Sequence, residues 1–101
     1  MISEEITKKI NSLTSIGAEK QVKDTLRKII KIRISNYEAE LSLLSSELKS
    51  FEHKFNKKSH VFYNEFNKGN LGDEMDFIEW AALYENYSLF RKRIDLLRDS
   101  L

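Results

Sequence analysis

Two apolar seams of period 3.5 run through this chain, and they leave it little choice of fold. Ile30, Ile34, Tyr37, Leu41, Leu44, Leu48, Phe51 and Phe55 follow one another at steps of 4, 3, 4, 3, 4, 3 and 4. Trp80, Leu83, Tyr87, Phe90, Ile94, Leu97 and Leu101 alternate in the same way. That spacing puts each set on one stripe of an α-helix, whereas a strand needs apolar residues at alternate positions. The chain has no proline and only three glycines, so the usual punctuation of strands and loops is missing. The expected fold class is all-α.

The glycines, Gly17, Gly69 and Gly72, are the natural breaks. Ser3 stands where it would cap a helix carrying Glu4 and Glu5 in its first turn, and Ile6, Ile10 and Leu13 recur at helical spacing, so residues 1–17 read as an N-terminal helix. Nothing interrupts a long helix over 18–57, which at 1.5 Å per residue would run on the order of 58 Å and must pack lengthwise on something. Ser59 to Phe66 reads as a short helix over 59–68, capped by Ser59 and closed by Gly69. Asp73 or Asp76 would cap a C-terminal helix over 73–101, whose acidic start and basic end, Arg91 to Arg98, agree with the helix dipole.

The two seams then pair as a long antiparallel, coiled-coil-like hairpin, with residues 74–100 against 30–57. This register brings Asp73 and Glu74 near Lys57 and Lys58, and Leu101 near Ile30. With 101 residues, 41% of them hydrophobic, the expectation is a single helical domain, 1–101, with one modest core. Residues 1–29 have no partner in this scheme, and must fold back, reach a second subunit or cover another protein.

Composition narrows the function. Seventeen Lys and Arg against sixteen Asp and Glu give a net charge of +1, so any electrostatic role is local. Without cysteine there is no disulfide, thiol catalysis or thiolate zinc site. No apolar run approaches the ~20 residues of a membrane span, and Met1 to Glu5 is acidic where a secretory leader would be basic, which suggests a cytoplasmic protein without membrane contact.

No catalytic, cofactor-binding or metal-binding residue is expected. His53 and His60 are separated by the helix start at Ser59, and no carboxylate pair brackets both. Gly69-Asn70-Leu71-Gly72 lacks the lysine and preceding strand of a phosphate-binding loop. Glu79, Glu85 and Asp95 share no face with a histidine, and the serines have no partnered base.

Charge and apolarity are unevenly placed. Residues 1–36 hold eight bases and four acids, and residues 73–101 four bases and seven acids. Lys20, Lys23, Arg27 and Lys31 form one helical stripe, suited to tracking phosphates or to rimming a protein contact. Asp24 beside it and the lack of an interleaved aromatic favour the protein. The expected partner-binding residues are therefore Ile6, Ile10, Leu13, Lys20, Lys23, Arg27 and Lys31. Ile29, Ile32, Leu43, Leu89 and Leu96 lie off the seams and suggest a second interface, with a two-fold homodimer as the expected state.

Seven of the eleven aromatics fall between Phe51 and Trp80, where a core plug at the reversal accounts for them. The same stretch, Phe51-Glu52-His53-Lys54-Phe55, then Gly69-Asn70-Leu71-Gly72-Asp73, Asp76, Glu79-Trp80, Leu83 and Tyr87, resembles a pattern found in small helical antitoxin-like proteins of archaea and cyanobacteria that are encoded beside a toxin partner. It covers residues 48–87. The chain departs from it at Phe55, where the pattern prefers tyrosine, and at Asn56, where glycine is common. The resemblance implies a partner-binding role, with a toxin as the protein bound, and no catalytic residue. The expectation is a non-enzymatic protein-binding module, with a nucleic-acid-binding protein or a purely structural coiled-coil oligomer as the alternatives.

Overall fold

The computed structural model describes residues 3–101; residues 1 and 2 of the expected N-terminal helix lie outside them. Four helices follow one another: α1 (Glu4–Ser15), α2 (Glu19–Phe55), α3 (Ser59–Asn67) and α4 (Met75–Asp99). No strand occurs among the described residues. The molecule measures 60 × 23 × 19 Å, with a radius of gyration of 19.7 Å against about 13 Å for a compact chain of this size. Its long axis is set by α2, whose 37 residues extend about 55 Å.

The two seams meet as α2 against α4 in an antiparallel hairpin. Ile34, Leu48, Trp80, Ala81 and Ile94 are buried along the contact, and the Tyr37 and Phe90 rings stand 5.2 Å apart. Lys54 pairs with Asp76 at 2.6 Å near the bend, and Arg98 with Glu38 at 2.9 Å near the open end, where the expected register places them. At that same open end, the Arg33 guanidinium donates to the Tyr37 hydroxyl at 3.2 Å. That bond, helped by the charges of Arg33 and Arg93 and opposed by burial, holds the hydroxyl below its usual pKa.

The bend is an aromatic plug. Trp80 and Phe62 are fully buried, stacked with centroids 3.8 Å apart and planes within 5°. Phe51 and Phe55 stack on Trp80 at 5.7 Å each, and Phe77 packs edge-on to Phe55 at 5.3 Å. Tyr63 lies against Tyr84 and donates to Glu85 at 2.8 Å. A buried indole needs an acceptor for its N–H, and Ser59 Oγ supplies it at 2.9 Å.

Here the structure corrects two expected caps. Ser59 is the first residue of α3 rather than its cap, which falls on Lys58. Its hydroxyl is drawn to Trp80, and its N–H is satisfied from outside by Glu52 Oε2 at 2.8 Å. Likewise Glu74, not Asp73 or Asp76, occupies the cap position of α4, without a side-chain cap bond; Asp76 lies in the first turn and holds Lys54. A cross-helix ion pair has claimed the carboxylate that local sequence assigned to capping.

The turns are built. Asn56 ends α2 with φ 50, a left-handed conformation that asparagine tolerates better than most residues. At Gly69, φ 75 lets Gly69 N–H reach Phe66 O and Asn70 N–H reach Glu65 O, satisfying the last carbonyls of α3.

Ser59→Ala strands the indole N–H in the core and is expected to cost about 1–3 kcal/mol in urea unfolding. Trp80→Ala, which empties the plug, should cost about 3–5 kcal/mol. Equal, near-zero costs for both would contradict the plug as the seat of stability.

Burial pushes the Glu52 carboxyl up, but the Ser59 backbone and hydroxyl hydrogen bonds, with the nearby Lys58 and His60 charges, outweigh it and leave Glu52 below its ordinary value. A folded-state pKa depressed in this way gives stability that is present above the unfolded carboxylate range and fades as pH falls through the folded value. Glu52→Gln should therefore be less stable near neutrality, with the gap to wild type closing in acid. A gap that stays constant with pH would remove Glu52 from the acid limb.

Candidate partner-binding surface

The end of the molecule away from the bend is built differently. Ser3 caps α1 as expected, accepting from Ile6 N–H at 3.2 Å, and Lys9 pairs with Glu5 at 3.2 Å. No residue of α1 is buried. After Ser15 the chain turns at Gly17, where φ 88 allows Gly17 N–H to bond Thr14 O and Ala18 N–H to bond Leu13 O. That three-residue connection brings α1 back onto the first turns of α2 alone. Ile10 and Leu13 face Ala18, Val22, Thr25 and Leu26 across a shallow cleft.

This partial return leaves apolar surface uncovered. Ile6 is 53% exposed, Leu13 45%, Ile16 79% and Leu26 43%. Single exposed apolar residues are ordinary, but Leu13 and Leu26 flank one cleft, Ile16 stands in the connection between the two helices, and Ile6 lies on the same face of α1 two turns before Leu13. Among the sequence-predicted residues, Ile6, Ile10 and Leu13 therefore belong to one surface, to which the structure adds Ile16 and Leu26.

Lys20, Lys23, Arg27 and Lys31 do not join that surface. At 100° per residue they lie on the side of α2 opposite the cleft-lining Ala18, Val22 and Thr25. Lys20, Lys23 and Arg27 step by 3 and 4 into Ile30, so they extend the α4-facing seam beyond the point where α4 stops at Asp99. The seam changes from apolar to basic where its partner ends, and cations near a helix C-terminus are favourable. Lys20 pairs with Asp24 at 3.7 Å and Lys23 with Glu19 at 3.2 Å. Arg27 and Lys31 have no ion pair among the described residues.

Among the described residues no three of His, Cys, Asp and Glu gather as metal ligands, and no helix is long and apolar enough to cross a membrane. His53 and His60 sit exposed on α2 and α3. No family model, curated protein or solved structure matches the chain.

Because Ile6 and Ile16 are exposed, Ile6→Ser and Ile16→Ser should each change unfolding stability by no more than about 0.5 kcal/mol. A loss above about 2 kcal/mol would mean that these side chains serve the fold and are not free for a partner.

Proposed function

We propose that the chain is a non-enzymatic protein-binding module that takes hold of its partner with the N-terminal arm, as an antitoxin lays a helix on its toxin. The observation that carries this reading is the exposed apolar patch Ile6, Leu13, Ile16 and Leu26 at the open end, set against an aromatic plug that closes the other. An amphipathic helix held by a short hinge is a common way to fill a groove on another protein. The antitoxin-like pattern over residues 48–87 supports the same class. Nucleic-acid binding is the second reading, and it draws on the unpaired Arg27 and Lys31; the local ion pairs of Lys20 and Lys23 weaken it.

The two readings draw on different residues of the arm and of α2, so one experiment separates them. The protein encoded by the neighbouring gene is titrated with wild type, with Leu13→Asp/Leu26→Asp, and with Lys23→Glu/Arg27→Glu. The expected result is at least about tenfold weaker binding for the arm variant, and slower association with little change in affinity for the charge variant. Sub-micromolar binding of a DNA or RNA probe at physiological salt, steeply salt-dependent and lost in the charge variant, would move the protein to the nucleic-acid class.

A further inference from the structure

The two flanks of the hairpin's open end are furnished differently. On one, Glu38 of α2 closes on Arg98 of α4 at 2.9 Å. On the other, two guanidiniums converge on a tyrosine. Arg33 Cζ stands 5.0 Å from the centre of the Tyr37 ring, and Arg93 Cζ lies 5.8 Å from that centre and 5.9 Å from the centre of the Phe90 ring. Arg33 belongs to α2 and Arg93 to α4, so it is the packed hairpin that brings them together. Both bear on the Tyr37 hydroxyl, Arg33 through its 3.2 Å hydrogen bond and Arg93 more weakly.

Two cations drawn to one neutral oxygen leave positive charge uncompensated. Neither Arg33 nor Arg93 has an ion pair among the described residues. Counted at 100° per residue, the carboxylate on the Arg33 side of Tyr37 is Glu40, one turn further along α2, and it too has no ion pair among the described residues. Both arginines are exposed, and each keeps donors to spare after reaching the tyrosine. The hydroxyl accepts from Arg33 and still has its own proton to give.

We propose that Arg33, Arg93 and the Tyr37 hydroxyl form a binding site for a phosphate dianion, free or as a monoester. Charge and shape decide the class. Two guanidiniums match a dianion, whereas a carboxylate would occupy one planar fork and leave the second uncompensated. A tetrahedral phosphoryl group has oxygens enough to accept from both forks and from the tyrosine O–H. The site uses none of the arm residues, so this inference stands apart from the proposed function.

Titration of the full chain with inorganic phosphate and with phenyl phosphate tests it, at fixed ionic strength and followed through the arginine Cζ and Tyr37 Cζ carbon NMR signals. The two probes separate the free ion from an ester, and saturable binding of either, with a dissociation constant on the order of a millimolar, supports the site. Arg33→Gln and Arg93→Gln should each weaken binding at least about tenfold, because each removes one charge-assisted fork. Arg91→Gln lowers the net charge equally but lies on the Glu38–Arg98 flank, and should leave binding unchanged. Glu40→Gln should tighten it by removing a competing carboxylate. Since the bound dianion offsets the two guanidiniums, the Tyr37 hydroxyl should ionise at higher pH with phosphate than without it. Dimethyl phosphate, which carries a single charge, should bind at least about tenfold more weakly than phenyl phosphate. No saturable shift with either probe up to about 20 mM, equal losses in Arg91→Gln and Arg33→Gln, or dimethyl phosphate bound as tightly as the monoester would overturn the proposal.

Discussion

The hydrogen bond from the Trp80 indole to Ser59 Oγ, 2.9 Å long and wholly buried, ties three helices together. Trp80 belongs to α4, Ser59 to α3, and Glu52 of α2 holds the same serine through its backbone N–H. Phe62 stacks on the far face of this knot, and Phe51 and Phe55 close it from α2. A buried indole without an acceptor would give back about 1–3 kcal/mol of what burying the ring contributes, so the position of Ser59 bears on how α3 enters the bend. Everything further along the hairpin inherits its register from that point.

The molecule is consequently graded along its length. Near the bend, large rings interlock among three helices. Past the middle, α2 and α4 meet through Ile34, Tyr37, Phe90 and Ile94, with the Arg98–Glu38 ion pair beside them. Beyond the end of α4, the side of α2 that had faced it turns basic, and α1 covers part of the reverse side. The bend end is closed by interlocked rings, and the other end leaves apolar side chains exposed.

Much of this was legible in the sequence, because a 3.5 period read over seven or eight positions specifies both the helix and the face it buries. The hairpin and the faces that meet in it follow from that. Caps were less legible: Ser59 and Asp76 look like local capping residues until partners some twenty residues away claim their side chains. The candidate surface was half legible. Ile6, Ile10 and Leu13 were marked by spacing, but the side of α2 to which α1 returns depends on the turn at Gly17, which spacing does not encode. The basic stripe was read as a patch because its charges were conspicuous, and its identity as the seam's own continuation shows only when positions 20, 23 and 27 are counted forward into Ile30.

The plug's place beside the turn also bears on how the chain reaches its shape. Trp80 and Ser59 are separated by 21 residues, and Lys54 and Asp76 by 22, whereas Arg98 and Glu38 are 60 apart. Closing a loop costs entropy that grows with the logarithm of its length, and contacts of long separation slow folding when they must form first. With the strongest cluster at the shortest closure, each further pair along the hairpin is brought nearly into register by the one before it. The helices can zip from bend to open end, and the sixty-residue loop never has to be closed in a single step.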